Sequence, residues 1–294
     1  MSDETRRLRL SAEGRGRHYS RARGAVESLL RAAYLRDWPG RAWGLVPGSE
    51  RVRVERFSVA ADRGGRPPLT LAFASDLHFG PTTAPATLER AREALAEARP
   101  DLLVLGGDYV FLDATEARAR ALGDWVAGIP MAPGGVRAAV LGNHDLWTRH
   151  DRLEAALEGA GVELLVNRAI TLPPPHDDIR LVGIDEPWTG APDAGAALSG
   201  AHDGVTLAVA HSPDGVPHFE GAGASLILCG HTHGGQIALP GHRWVVMPSE
   251  VGRRYPFGLH RDRDTWIYVS RGLGNVEVPL RTFAPPDVAI VQVG

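Results

Sequence analysis

Five times along the chain a short apolar run stops abruptly at a polar or glycine-bearing cluster. LTLAFAS (69–75) runs into Asp76, DLLVLGG (101–107) into Asp108, and VRAAVLG (136–142) into Asn143. VTLAVA (205–210) runs into His211, and ASLILC (224–229) into Gly230 and His231. Short apolar runs bounded by turn residues suit strands buried on both faces. Helical patterns intervene at 87–99, 115–128 and 150–161. Strands alternating with amphipathic helices predict an α/β domain with covered sheets. Each polar cluster then falls at the C-terminal end of its strand, the edge where open α/β sheets hold ligands. Three later runs, IRLVGID (179–185), TWIYVSRG (265–272) and DVAIVQVG (287–294), need no intervening helix. They predict a second, more antiparallel sheet stacked on the first.

Composition removes several chemistries. All 32 basic residues are arginine, so Schiff-base lysines and the P-loop lysine are excluded. The single cysteine, Cys229, excludes an internal disulfide and a cysteine-rich zinc site, and its apolar surroundings predict a packing role. The net charge of −3 carries no nucleic-acid signature. No run reaches the ~18 apolar residues of a spanning helix, so none is expected. The Arg-rich start lacks an apolar signal core, which predicts a cytoplasmic protein.

The 294 residues hold no internal repeat or long linker, which favours one main domain, 56–294, behind an Arg-rich extension, 1–55. Residues 24–37 of the extension put Val26, Leu29, Leu30, Ala33 and Tyr34 at helical spacing before Trp38-Pro39-Gly40 stops the pattern. Such a helix either lies on an anionic membrane, as a peripheral contact, or packs its stripe on its own domain. The shortness of the stripe favours packing.

The polar clusters are SDLH (75–78), GGDY (106–109), GNHD (142–145), AHSPD (210–214) and GHTHGG (230–235). Singly, each has an ordinary reading as a turn or a surface pair. Together they bring carboxylate, imidazole and amide groups to one sheet edge. In extended chain, residues i and i+2 face the same way, so Asp76 and His78 would reach one ion; His231 and His233 would do so if their turn is extended. The donor set suits Mn, Fe, Zn or Ni. Asp76, His78, Asp108, Asn143, His211, His231 and His233 suffice for two divalent metal ions sharing one carboxylate. Such a pair clamps an in-line displacement at phosphorus and acidifies the water between the ions.

The ordered series D-x-H, GD, GNHD, H and GHTHGG resembles the calcineurin-like metallophosphoesterase superfamily. The longer strings GHTHGGQIALP and YVSRGLG…RTFAPPDVAIV are similar to a branch of bacterial phosphodiesterases often attached to membranes. The resemblance implies a four-layer α/β/β/α sandwich with two packed mixed β-sheets. It implies Asp76, His78 and His233 on the first metal, Asp108 bridging, and Asn143, His211 and His231 on the second. It further implies hydrolysis of a P–O bond by a metal-bridging hydroxide, with His144 as general acid and Asp145 orienting an imidazole. The substrate would be a phosphoester of lipid or nucleotide type, with a diester the leading expectation. A non-catalytic metal-binding scaffold and a dinuclear hydrolase of a non-phosphate ester or amide are the competing readings. Gly106, Gly107, Gly142, Gly230, Gly234 and Gly235 are expected where the chain bends or crowds around the ions. Trp147, Arg149 and His150 are candidates for the pocket rim. The stretch 240–260, with Arg253 and Arg254, reads as a solvated loop in preference to a pocket wall.

Overall fold

The apolar runs form two six-stranded sheets in a computed structural model that describes residues 14–241 and 243–294. The first sheet has the order β1 (Arg53–Val59), β14 (Asp287–Val293), β2 (Leu69–Ala74), β3 (Leu102–Leu105), β4 (Val136–Ala139) and β5 (Val162–Leu164). Strands β2 to β5 are mutually parallel, whereas β14 runs antiparallel to β2. The second sheet has the order β12 (Gly258–Asp262), β13 (Thr265–Val269), β9 (Ala224–Cys229), β8 (Val205–Val209), β7 (Ile179–Gly183) and β6 (Arg168–Thr171).

The second sheet is the more antiparallel of the two, as expected, but its membership and its parallel centre correct the sequence reading. Its four central strands are parallel, and only its edges, β12 and β6, are antiparallel. VTLAVA and ASLILC belong to it, while DVAIVQVG completes the first sheet. The crossovers between its parallel strands are α7 (Ala194–Ala197) and a 3₁₀ turn at Pro213–Phe219. These return the chain in parallel but are too short to leave a helical period in the sequence.

Period-two alternation builds the layers. Leu71 and Phe73 of β2 and Leu102 and Val104 of β3 meet Leu207, Val209, Leu226 and Leu228 between the sheets. The alternate residues Ala72, Ala74, Leu103 and Leu105 turn to α3 (Pro85–Ala98), α4 (Glu116–Ala127) and α6 (His150–Gly159). Those helices bury Leu88, Ala91 and Leu95, then Leu122 and Val126, then Leu153 and Leu157, the spacing of one helical face. Ile227, Cys229 and Val269 pack outward against the thin fourth layer through Val216, Phe219 and Tyr255. Burial pushes the Cys229 thiol well above its ordinary pKa, in keeping with a packing role. The architecture is the expected sandwich of two sheets flanked by helices, with its outer layer reduced to short turns.

The amphipathic segment is helical as α1 (Arg21–Ala33), but its orientation reverses the expectation. Glu27 is its one buried residue; Val26 and Leu29 are exposed. Ion pairs draw the polar strip inward, with Arg23 on Glu27 at 2.8 Å and Arg31 on Asp113 at 2.9 Å. Residues 1–13 of the extension lie outside the described residues. No helix among the described residues is long and apolar enough to cross a membrane.

Candidate metal centre

The C-terminal ends of five strands converge. From the first sheet, β2 delivers Asp76 and His78, β3 delivers Asp108, and β4 leads into α5 (Asn143–Leu146). From the second, β8 delivers His211, and β9 delivers His231 and His233. Two buried triads result, Asp76–His78–His233 and Asp108–His211–His231, each with ligand atoms within 4.8 Å of one another.

The local backbone is not extended, which corrects the i, i+2 argument. Asp76, His78, Asp108, His231 and His233 take φ of 55°, 45°, 56°, 69° and 50°. Left-handed backbone at a non-glycine residue costs on the order of 1–3 kcal/mol and persists where the surroundings over-determine it. The bend also explains how neighbours separate. An extended GHTH would aim both histidines at one point, whereas the observed turn sends His231 to one triad and His233 to the other.

Between the triads stands Asp108. Its Oδ2 lies 3.6 Å from His78 Nε2 and 3.3 Å from His211 Nε2, and its Oδ1 accepts the His144 amide at 2.9 Å. Within the first triad, His78 Nε2 and His233 Nε2 are 3.1 Å apart, and His233 Nε2 is 3.5 Å from Asp76 Oδ1. In the second, His231 Nδ1 and Asn143 Oδ1 lie 3.2 and 3.3 Å from His211 Nε2. Behind them, His211 Nδ1 faces the Gly106 carbonyl at 2.8 Å and His78 Nδ1 that of Val110 at 3.3 Å. With Nδ1 donating to a carbonyl, each Nε2 is the nitrogen turned to the centre, the one a metal ion would take.

Electrostatics agree. Burial lowers His78 and His231 to about 4 and takes His233 and His144 well below the ordinary imidazole value. Those rings are therefore neutral. Burial opposes charge on His211 too, but the Asp108 carboxylate beside it prevails and raises it to about 10. Burial lifts Asp76 to about 7. Neutral rings at His78, His231 and His233 beside the acids Asp76 and Asp108, with the charge of His211 held against Asp108, mark a place built for cations.

Asp145 departs from its expected role. Its carboxylate accepts the amides of Asp108, Tyr109 and Gly142 at 2.8, 2.8 and 2.9 Å. All three partners are backbone groups and none is an imidazole, so it ties the end of β3 to the turn after β4.

The triads open into a cavity of about 480 Å³ lined by His144, Trp147, Trp188, Val245, Val246 and Arg23, among others. Trp147 is thus at the rim, while Arg149 pairs instead with Asp151. Val245 and Val246 make part of 240–260 a pocket wall after all, although Arg254 turns away to Asp262. A larger cleft of about 760 Å³ contains none of the six triad residues.

Sequence reasoning passed over Arg281. It is half-buried, donates to the Arg271 and Ala284 carbonyls at 2.8 and 3.0 Å, and sets Nη2 3.0 Å from His233 Nδ1. Burial lowers its pKa to about 10, so it stays charged at neutral pH. Its signal was the RTFAPPD string, in which no role was read.

Close approach is testable at Gly230, where a Cβ would stand 2.0 Å from Ser75 Oγ and 2.4 Å from Asp76 Oδ2. Gly230→Ala is expected to destabilise the protein by about 1–3 kcal/mol, as overpacking does, and to weaken the Asp76 site. Denaturant unfolding and metal analysis read both; an unchanged midpoint with full metal content would contradict the packing.

Residues 69–235 match the calcineurin-like phosphoesterase family model. The chain belongs to that family. It is 31% identical over 244 residues to the phosphodiesterase YaeI of Escherichia coli, covering 81% of this chain and 86% of the relative. It is 30% identical to the uncharacterized metallophosphoesterase YkuE of Bacillus subtilis, covering 74% and 76% of the two chains. A third relative, the Bacillus subtilis metallophosphoesterase YkoQ, is 28% identical over 82% of this chain and 90% of its own. Two Asp/His triads, formed where strand ends of both sheets meet, match the dinuclear centre of a metal-dependent phosphoesterase.

Proposed function

We propose that the protein is a phosphodiesterase of the bacterial branch containing GHTHGGQ, acting on a lipid or nucleotide phosphodiester. Asp76, His78 and His233 would hold one ion and Asn143, His211 and His231 the other, with Asp108 available to both. The observation that carries the reading is the position of Asp108 Oδ2 between His78 and His211, one from each side of the centre. Preference for a diester draws support from the similarity to the phosphodiesterase YaeI of Escherichia coli. Catalysis belongs to the region from 56 onward, extended back to Arg53 because β1 starts there. The protein works in the cytoplasm, in peripheral contact with the inner membrane face.

Bound at these residues, a pair of Mn, Fe, Zn or Ni ions supplies Lewis acidity and an acidified water for in-line displacement. The chain supplies the rest. Asp145 holds the Asp108 amide, and the His144 amide holds Asp108 Oδ1, so Oδ2 is aimed before any ion arrives. The His144 ring, 5.1 Å from that of His78, lines the cavity where a leaving group departs and protonates its oxygen.

Mn-loaded protein is expected to hydrolyse bis(p-nitrophenyl) phosphate faster than p-nitrophenyl phosphate, and to bind two ions per chain by elemental analysis. Failure of the loaded protein to cleave the activated diester would overturn the proposal.

A further inference from the structure

Helix α1 carries its polarity the wrong way round for a helix bathed in water. Its charged strip faces the fold, where Glu27 accepts from Tyr19 Oη and Arg23 Nε at 2.8 Å each. The opposite strip, Ala22, Ala25, Val26, Leu29, Ala32 and Ala33, is exposed along its whole length. Beyond the helix, Leu35 and Trp38 are 68% and 55% exposed, and Leu29 itself 69%. Surface helices of soluble domains show the reverse pattern, and contiguous exposed apolar surface marks an interaction site.

Charge says what kind of surface would cover it. Residues 14–49 contain seven arginines and two acids, Glu27 and Asp37, and both acids are held in ion pairs with arginines. Arg21, Arg36 and Arg41 are exposed around the apolar strip. Across a two-fold contact with a second copy these cations would oppose one another, whereas an anionic surface complements them.

The helix is also fastened to the mouth of the metal cavity. Arg23 lines that cavity and pairs with Glu277 at 2.9 Å, and Tyr34 Oη donates to the Glu277 carbonyl at 2.8 Å. Val278, the next residue, lines the mouth with Val245 and Val246, which are 60% and 66% exposed. Apolar side chains therefore stand outward on the helix and on the rim to which it is tied.

We infer that this face docks the protein on an anionic lipid bilayer, with the metal cavity opening among the headgroups. A phosphodiester borne by a membrane lipid then reaches the centre with its apolar part still in the bilayer. The inference rests on the phosphoesterase reading and deepens it by naming the surface that presents the substrate. It needs no spanning helix, since an interfacial helix gains affinity from buried apolar area together with attraction to anionic lipid.

The test uses the full chain, metal-loaded, mixed with vesicles of phosphatidylcholine alone or with phosphatidylglycerol. Association with the mixed vesicles, weakened by added salt, is expected. The double variant Leu29→Glu/Leu35→Glu is expected to partition at least about tenfold less. Its hydrolysis of water-soluble bis(p-nitrophenyl) phosphate should match the parent, because neither residue lines the cavity. Arg21→Glu/Arg36→Glu probes the same face through charge alone. Equal partition of parent and both variants would overturn the inference, as would absence of binding to the anionic vesicles. So would a parent dimer that the leucine variant dissolves, which would assign the face to a second copy. Loss of soluble diester hydrolysis in the parent would instead sink the phosphodiesterase reading, while vesicle binding still reports on docking.

Discussion

Asp108→Ala is expected to empty both metal positions and abolish phosphodiester hydrolysis. The carboxylate is buried, with Oδ2 facing His78 of one triad and His211 of the other. Its removal deletes the shared anionic ligand and leaves His211 without the partner that holds its charge. Metal ions supply several kcal/mol of transition-state stabilisation, which at about 1.4 kcal/mol per tenfold is a loss on the order of 10³-fold or more. Elemental analysis should fall from two ions per chain to less than one. Alanine also deprives the His144 amide of its acceptor, so a misfolded variant could mimic this outcome. Asp108→Asn settles the matter, because it retains an oxygen for that amide while losing the charge. A folded asparagine variant with both ions bound would refute the bridging role.

How much of this was legible in the sequence depends on how local the determining contact is. Asp76, Asp108, His211 and His231 could be read because each closely follows an apolar run, and strand direction alone assigns them to the C-terminal ends of their strands, whereas the expectation of a single sheet edge gave way to a meeting of two sheets. Their mode of presentation could not be read. Left-handed backbone at five ligand residues is imposed by contacts such as the His231 amide on the Asp76 carboxylate, at 3.0 Å, which join segments far apart in sequence. Arg281 was hidden for the same reason, since it meets His233 only through the loop that follows β13. Sheet membership of β8 and β9 was obscured by crossovers too short to show a helical period. The α1 stripe teaches a different lesson. Periodicity identified its apolar residues but not what lies against them, and the ion pairs of Glu27 and Arg31 decide which side faces the fold.

The role proposed for His144 makes a prediction that separates acid catalysis from binding. His144→Gln changes only the side chain, because the bond from its backbone amide to Asp108 persists. The ring is 5.1 Å from that of His78 and 5.4 Å from that of Trp147, and desolvation keeps it neutral. An anionic phosphodiester beside it favours the imidazolium, so the proton for the leaving group is taken up with the substrate. With an alkoxide leaving group, which must be protonated, the variant is expected to lose about 10²-fold in kcat. With p-nitrophenolate, which departs unprotonated, the loss should shrink to a few-fold, and metal content should remain at two ions. Equal losses for both esters would mean that the ring only grips the phosphate. An unequal loss requires that it move a proton, because binding of the shared phosphate cannot distinguish the two leaving groups.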